Sequence, residues 1–299
     1  MDAVKIGAAI KALRIQAEYT QRDLADCLNV TDKAVSKWER GLSIPDVSIV
    51  TKLSLILNCD VDNLLEGNIT YLEKTWQGFL LLKENDDIFA GSEVYGKPLV
   101  YIYLSYFMLA GIGDIYISCS ARDKEYIEAN IGNGERYGIR LIFLADGENI
   151  PYTAVNTMVI YNNPFIYGPN LTKYFQRAMS RMYGISVLAI EKDAVDSENT
   201  ISYDKHKMVK SFKSGTEKHC AVPIVFFPKK YFDQIVNIGN ITELTPLYAE
   251  PIGNGMIEYL LADDDSLWDA SVFLRMLKKR MGKEVYDLKK VAKNRKFIE

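Results

Sequence analysis

Residues 20–46, which read TQRDLADCLNVTDKAVSKWERGLSIPD, contain two short helical patterns separated by a few residues. Thr20 precedes the first pattern, with Asp23 three residues later, which is the spacing of a helix capping box. Thr31 precedes the second pattern, and Gly41 is expected to end it because glycine adopts positive φ without a steric penalty. Two capped helices joined by a tight turn are typical of a helix-turn-helix arrangement.

The flanking sequence completes a small helical domain. Residues 3–16 place apolar side chains at positions 6, 10 and 13, which lie on one face of a helix. A fourth helix is predicted from Pro45 to Leu57, and a short fifth helix ends at Leu65. We therefore predict an all-α five-helix domain over residues 1–67, followed by a polar linker over residues 68–75.

The segment from about Ile6 to Leu65 resembles the lambda-repressor/Cro-like (XRE-type) DNA-binding domains of bacterial regulators. The resemblance rests on Thr-Gln, Leu-Ala, Val-Ser-x-Trp-Glu-Arg-Gly and the following proline at the family's spacings. It implies that the third helix enters the major groove of DNA and that the N-terminus of the second helix abuts a phosphate. The residues that it places against DNA are Gln21, Arg22, Thr31, Asp32, Lys33, Ser36, Lys37 and Arg40.

These residue types suit the two kinds of DNA contact. Lys33 or Lys37 can donate to guanine acceptors, and Asp32 can accept from a cytosine amino group. Arg40 is expected to hold a phosphate, which positions a protein on DNA without reading its sequence. Val35 and Trp38, three residues apart, are expected to pack inward.

Charge leaves an alternative open for this domain. Residues 1–67 contain eight Lys/Arg and ten Asp/Glu, so a protein-interaction module is a second interpretation. The whole chain carries a net charge of -3, and any DNA binding must therefore come from a local basic patch. Arg22, Lys33, Lys37 and Arg40 concentrate on the predicted DNA face, which favours DNA binding. An operator with two half-sites requires a dimer, so we expect a homodimer or a higher homo-oligomer.

Residues 76–299 alternate between strand and helix patterns. Strands are predicted at residues 78–82, 115–118, 139–144, 157–161, 185–190 and 221–227, and helices at 98–110, 123–130 and 170–182. This alternation predicts an α/β fold with a doubly wound, mostly parallel sheet. The apolar stretch from Leu99 to Ile117 is not expected to span a membrane, because the glycines at 111 and 113 interrupt it.

This second part resembles the sugar-phosphate nucleotidylyltransferases, especially the glucose-1-phosphate thymidylyltransferase branch. The resemblance covers nearly all of Gly78 to Lys283 and rests on GKPLVYIYLSYFMLAGIGDIYISCSARD (96–123), IGNGERYGIRLIFL (131–144) and SLWDASVFLRMLKKRMG (266–282). It implies a nucleotide-diphospho-sugar transferase-like fold that tends to self-associate. It also aligns Lys213 with a sugar-phosphate-binding lysine, which makes Lys213 a candidate ligand-binding residue.

The family's chemical positions are occupied by other residues in this chain. The Gly-rich phosphate loop is replaced by an acidic segment that contains Glu84, Asp86 and Asp87. The two aspartates that hold Mg²⁺ in the family align with Asn163 and Leu260. We therefore predict that this domain is catalytically inactive and needs no cofactor. Asp263, Asp264 and Asp265 are expected to form a solvated loop, and the basic residues between 278 and 296 a solvated helix face.

The sequence thus predicts a cytoplasmic, sequence-specific transcriptional regulator that binds double-stranded DNA. Its larger domain is expected to serve dimerisation, the sensing of a sugar phosphate or nucleotide, or both. The alternative is an active sugar-1-phosphate nucleotidylyltransferase with an appended DNA-binding domain, which would use Mg²⁺. The chain has 299 residues, of which 48% are hydrophobic, and this excludes a disordered or collagen-like protein. Its four cysteines are far apart, which favours reduced thiols over a metal site or disulfides, and no secretory signal or membrane segment is expected.

Overall fold

The computed structural model describes residues 2–16, 19–57, 59, 61–67, 76–82, 88–144, 155–168, 170–191, 200–212, 219–253, 257–282 and 286–298. The chain forms two compact units. The first unit contains Met1–Thr75, Lys173–Ala221 and Phe227–Pro251, and the second contains Trp76–Thr172, Val222–Phe226 and Ile252–Glu299. The linker predicted over residues 68–75 lies outside the described residues, so the proposed domain boundaries stay predictions.

Five helices begin the first unit: α1 (Ala3–Gln16), α2 (Gln21–Leu28), α3 (Asp32–Glu39), α4 (Val47–Leu57) and α5 (Val61–Glu66). The predicted capping box is present, because the Thr20 hydroxyl accepts from the backbone N–H of Asp23 at 3.1 Å. The Asp23 carboxylate accepts from the backbone N–H of Thr20 at 2.9 Å. Thr31 caps α3, and Asn29 and Gly41 have positive φ where α2 and α3 end. The helical prediction for this segment is confirmed.

The helices pack around one apolar core. Ile10, Leu24, Val35 and Leu53 come from four different helices and are fully buried. Burial of each such side chain contributes about 1.5–3 kcal/mol to folding. Gly7 allows α1 to approach α3 closely, because a Cβ there would lie 2.1 Å from the backbone oxygen of Trp38.

A single buried carboxylate joins the first three helices. The side chain of Glu39, at the end of α3, is only 2% exposed. It accepts from Arg14 Nε at 2.5 Å and from Gln21 Nε2 at 2.7 Å, which connects α3 to α1 and α2. Arg14 also donates to the backbone oxygen of Tyr19 at 2.6 Å, in the turn that leads into α2. Charge-assisted hydrogen bonds of this kind are about twice as strong as neutral ones.

The remaining elements follow in chain order. They are β1 (Trp76–Leu81), β2 (Glu93–Val94), β3 (Lys97–Pro98), α6 (Leu99–Ala110), β4 (Asp114–Ser118), α7 (Ala121–Asn130), β5 (Arg140–Phe143), β6 (Asn156–Ile160), β7 (Pro164–Tyr167), α8 (Leu171–Ser180), β8 (Ile185–Glu191), β9 (Thr200–Tyr203), β10 (Val209–Phe212), β11 (His219–Phe227), β12 (Leu247–Ile252), β13 (Ile257–Leu260), α9 (Asp264–Met281) and α10 (Leu288–Asn294). Three 3₁₀ segments lie at Glu135–Tyr137, Lys229–Asn237 and Ile241–Glu243. No helix among the described residues is long and apolar enough to cross a membrane.

The second unit contains the parallel part of the predicted sheet. β1 lies between β4 and β6 and is parallel to both, and β4 pairs in parallel with β5. Gly78 of β1 lies opposite Ile115 and Met158, and a Cβ at Gly78 would lie 2.7 Å from the ring of Phe107 in α6. The apolar helix α6 therefore packs tightly on the sheet. The α/β prediction is confirmed.

Besides the five helices, the first unit contains strands and a buried ion pair. β9 pairs antiparallel with β10 and with the beginning of β11, and β8 pairs with β12. The guanidinium of Arg181 lies 2.9 Å from the carboxylate of Glu250, and the two side chains are 2% and 1% exposed. Burial alone would lower the pKa of Arg181, but the charge of Glu250 raises it above its ordinary value, so the guanidinium stays protonated.

One local prediction is wrong. Asp263–Asp265 do not form a solvated loop, because Asp263 is the N-cap of α9 and accepts from the backbone N–H of Ser266 at 2.9 Å. Asp264 and Asp265 lie in the first turn of α9, where the helix dipole favours negative charge. The basic C-terminal run divides between the end of α9 and the helix α10.

We expect Glu39→Gln to destabilise the five-helix segment by about 3 kcal/mol, because it leaves the guanidinium of Arg14 mostly buried without its counter-charge. Urea unfolding and hydrogen exchange of the α3 amides would measure this loss. The matched control is Asp114→Asn, which breaks an exposed pair with Arg140 and should cost less than about 1 kcal/mol. Equal effects of the two substitutions would contradict a structural role for Glu39.

Candidate nucleic-acid interface

The structure brings the predicted recognition residues onto one face of α3. Thr31, Asp32, Lys33, Lys37 and Arg40 are exposed along it, and Ser36 is half-buried between them. The opposite face is closed, since Val35 is 0% and Trp38 is 6% exposed, as the spacing predicted. The first turn of α3 thus presents donors and acceptors to solvent while its inner face anchors the helix.

Local hydrogen bonds orient the ends of this face. The Thr31 hydroxyl accepts from the backbone N–H of Ala34 at 3.2 Å, and the Asp32 carboxylate accepts from the backbone N–H of Lys33 at 2.8 Å. Arg40 Nε donates to the backbone oxygen of Ser36 at 3.2 Å, which lays the guanidinium back along the helix. The basic groups Lys33, Lys37 and Arg40 therefore lie along one exposed edge.

The two residues predicted at the N-terminus of α2 have different environments. Arg22 is exposed, as a phosphate contact requires. Gln21 is half-buried, and its side-chain amide donates to Glu39. Gln21 therefore helps to fix the angle between α2 and α3, in addition to its predicted place beside the DNA backbone.

A small polar cavity of about 50 Å³ lies on another face of α2, within the first unit. The helical segment contributes Tyr19, Asp23, Asp26 and Cys27 to its lining, and later segments contribute Arg177, Arg181, Lys205, His206, Lys207 and Glu250. Arg177 lies 3.8 Å from the carboxylate of Asp23, and the ring of His206 lies 3.1 Å from the backbone oxygen of Asp26. This volume accommodates several water molecules or one small oxyanion.

Three buried polar atoms at this cavity have no partner among the described residues: the hydroxyl of Tyr19, Nε of Arg177 and one carboxylate oxygen of Glu250. Partial burial alone would raise the pKa of Asp23, but hydrogen bonds from Thr20 and the charge of Arg177 lower it below its ordinary value. The cavity is not foreseeable from the sequence, because its lining comes from segments far apart in the chain and follows no local pattern.

In the second unit, the carboxyl ends of the parallel strands meet at one edge, where ligands bind in sheets of this kind. Leu82, just after β1, donates its backbone N–H to the oxygen of Ser118 at 2.9 Å. Asn163, just after β6, accepts from the backbone N–H of Leu261 at 3.1 Å, and Leu260 pairs with Pro164. The structure therefore brings together the two positions that the resemblance assigned to metal-binding aspartates.

The residues at this edge do not fit a divalent cation. One position offers an amide and the other an alkyl residue, whereas Mg²⁺ prefers carboxylate and phosphate oxygens. Apolar side chains and Asp123 line the space beside Asn163, which has no room for a water molecule. The carboxylate of Asp123 already accepts from the backbone N–H of Ala90 at 2.6 Å and from the hydroxyl of Ser120 at 2.8 Å. Within the described part of the chain, no three His, Cys, Asp or Glu side chains come together as a metal site.

Two further predictions for this domain concern residues outside the described part of the chain. The candidate ligand-binding residue Lys213 and the acidic segment 83–87 lie outside the described residues. Cys119, after β4, is a weak nucleophile at neutral pH, because burial and the neighbouring Asp123 raise the pKa of its thiol to about 11.

Comparisons with known proteins agree with both parts of the chain. The helix-turn-helix family model matches residues 10–64. An uncharacterized HTH-type transcriptional regulator from the SPbeta prophage of Bacillus subtilis, YonR, is 32% identical over 103 residues, which are 33% of this chain and 92% of the relative.

The larger part matches nucleotidyltransferases. A glucose-1-phosphate thymidylyltransferase of Xanthomonas campestris is 23% identical over 236 residues, covering 69% of this chain and 80% of the relative. A solved Bacillus anthracis structure, assigned as a glucose-1-phosphate thymidylyltransferase in complex with sucrose, has a TM-score of 0.54 at 13% identity and covers 67% of this chain and 96% of its own. These likenesses show the fold of the larger part. The chain belongs to the helix-turn-helix family through residues 10–64, and it carries beyond them a fold like that of the glucose-1-phosphate thymidylyltransferases.

Proposed function

We propose that this protein is a sequence-specific transcriptional regulator. Its nucleotidyltransferase-like part is catalytically inactive and serves dimerisation and the sensing of a sugar phosphate or nucleotide. The observation that carries the DNA-binding part is the exposed polar face of α3, with Lys33, Lys37 and Arg40 along one edge. A protein-interaction module needs no such row of cations at the early turns of its third helix.

The roles of the individual residues follow from the chemistry of each group. Lys33 and Lys37 donate to guanine O6 and N7, and Asp32 accepts from a cytosine amino group in the major groove. Arg22 and Arg40 hold phosphates on either side of the groove. Each monomer contributes one such helix, so two half-sites about one turn of DNA apart require two copies.

We expect Lys37→Ala and Arg40→Ala to weaken DNA binding in distinguishable ways. Loss of Lys37 should reduce the free energy of binding to the preferred site by about 1–3 kcal/mol and make the sequence preference less strict. Loss of Arg40 should weaken binding to all DNA sequences alike. Arg40→Ala should also reduce the slope of log K against log salt by about 1. Selection from a random duplex library, followed by titration at several salt concentrations, measures both effects.

The matched control is Lys52→Ala, an exposed lysine of α4 away from the recognition face. This variant should bind like the unchanged protein at a given salt concentration. If all three variants bind alike, DNA recognition by this face of α3 is refuted.

Catalytic inactivity is supported by the strand edge of the second unit. Nucleotidyl transfer needs a divalent ion to neutralise charge on the attacked phosphate, and loss of that ion removes several kcal/mol of transition-state stabilisation. Asn163 and Leu260 supply no carboxylate, and the carboxylate of Asp123, which lines the space beside Asn163, already accepts from the backbone N–H of Ala90 at 2.6 Å.

We therefore expect pyrophosphate release well below about 1 per second when the protein is mixed with Mg²⁺, nucleoside triphosphates and hexose 1-phosphates. An authentic thymidylyltransferase assayed beside it shows that the conditions support turnover. Release at about 1 per second or faster would favour the alternative, an active sugar-1-phosphate nucleotidylyltransferase with an appended DNA-binding domain.

Sensing requires that a ligand bind the DNA-competent and DNA-incompetent states with different affinity. The contacts of α2 with Arg177 and His206 support a physical link, because they join the DNA-binding helices to the nucleotidyltransferase-like segments of the first unit. A shift of these segments would displace α2, whose N-terminus faces the DNA backbone in the proposed complex.

We expect glucose 1-phosphate to change the Kd for DNA at least about fivefold in the unchanged protein. Arg177→Ala should reduce that change, because it removes the ion pair with Asp23. Fluorescence anisotropy of labelled operator DNA measures both. If no hexose phosphate or nucleotide alters the Kd, sensing fails and dimerisation is left as the role of this part.

A further inference from the structure

Helix α9 carries an apolar stripe on its outer face. Its inner face is fixed by Leu267, Ala270 and Leu274, which are buried. On the opposite side, Trp268 is 67% and Met276 is 47% exposed. An exposed tryptophan aligned with a second large apolar side chain marks an interaction surface more often than a solvated one.

The sequence of α9 is arranged symmetrically about Val272, which is half-buried in the middle of this stripe. Trp268 and Met276 lie four positions before and after it. Each acidic residue of the first half also has a basic counterpart at the same distance on the other side: Asp269 with Arg275, Asp265 with Lys279, and Asp264 with Arg280. All six of these charged residues are exposed.

The acidic first turn and the basic last turn of α9 suit the helix dipole, but two like-charge pairs within the pattern are unfavourable in one copy. Asp265 and Asp269 are four residues apart, as are Arg275 and Lys279, so like charges face each other on adjacent turns. Such pairs destabilise a helix by a few tenths of a kcal/mol. A partner that places opposite charge against each end converts the same pattern into attraction.

A second copy of α9 would supply such a partner. A two-fold axis through Val272 makes the two helices antiparallel and places every position against its mirror position on the other copy. The acidic half of each helix then lies against the basic half of its partner, and the apolar stripes meet between them. Seven residues are nearly two helical turns, so positions 265 and 279 lie near the centre of the contact face.

We propose that α9 packs antiparallel on α9 of a second copy of this chain, with Asp265 facing the partner's Lys279 and the apolar stripe at the centre. Tyr95, 40% exposed, extends the apolar surface, since its backbone N–H donates to the hydroxyl of Ser271 at 2.8 Å. The inference rests on the dimerisation proposed above, and it names the surface that performs it.

Charge reversal tests this register directly. In a homodimer, Asp265→Lys places the introduced lysine against Lys279 twice, and Lys279→Asp places two acids together twice. Each variant alone should therefore dimerise at least about tenfold more weakly than the unchanged protein. An equimolar mixture of the two variants should recover the lost affinity, because every reversed residue then meets its opposite charge.

Sedimentation equilibrium measures the self-association, and a size difference introduced by a tag on one variant identifies the mixed dimer. Lys289→Asp, an exposed reversal on α10, is the matched control and should leave dimerisation unchanged. Trp268→Glu should weaken dimerisation at least about tenfold by removing the apolar centre. Recovery in the mixture also shows that the reversed variants are folded.

The outcomes separate this inference from the function on which it rests. A monomeric unchanged protein at micromolar concentration would overturn both the proposed dimerisation and the α9 contact. A dimer that Asp265→Lys and Trp268→Glu leave intact would overturn the α9 contact alone. Weak dimerisation of each reversed variant without recovery in the mixture would overturn the antiparallel register. Binding to a single half-site, which needs only one copy, is measured separately and distinguishes a folded DNA-binding segment from loss of the dimer.

Discussion

The carboxylate of Glu39 is the interaction on which the DNA-binding face depends. Helix α3 has eight residues, too few to be stable in water without tertiary packing. Val35 and Trp38 anchor it by apolar contact, which is strong but has little directionality. The hydrogen bonds from Arg14 and Gln21 to Glu39 add the direction, because they fix α3 against α1 and α2 at defined atoms. The orientation of the recognition residues therefore follows from a group that never touches DNA.

The larger part of the chain has a nucleotidyltransferase-like fold, but the residues at its sheet edge differ from those that the family's chemistry uses. Pairing of β7 with β13 brings Asn163 and Leu260 together at the sheet edge, the two positions that the resemblance assigned to metal-binding aspartates. The side chains at these positions are an amide and an alkyl group, and Leu82, Ile88 and Asp123 line the adjoining space. A fold can host many functions, and the proposed loss of turnover rests on the residues at this edge rather than on the fold.

Much of this fold follows from local sequence signals. Thr20, Thr31 and Gly41 act within a single helical turn, so the helix boundaries in the first 67 residues are readable from the sequence. The alternation of apolar runs likewise predicted the parallel strands. The short pair β7 and β13 has no such signal, because its partners are far apart in the chain and only their pairing defines them. Asp263 resembled part of a charged loop, since its role as an N-cap depends on the helix that follows.

The candidate site also has one part that the sequence predicts and one part that it does not. The exposed face of α3 was predictable, because helical periodicity alone decides which residues lie opposite Val35 and Trp38. The cavity beside α2 was not, because Arg177 and His206 reach it through tertiary structure. The second role of Gln21 as a partner of Glu39 also depends on how three helices pack.

The packing of the DNA-binding segment is sensitive to any side chain added at Gly7. Its missing side chain is the space into which the carbonyl of Trp38 fits, so even one methyl group there would press on the backbone near the end of α3. A methyl group at Gly7 would therefore require α1 and the end of α3 to move apart. The position of the exposed α3 face therefore depends on a residue of another helix that has no side chain at all.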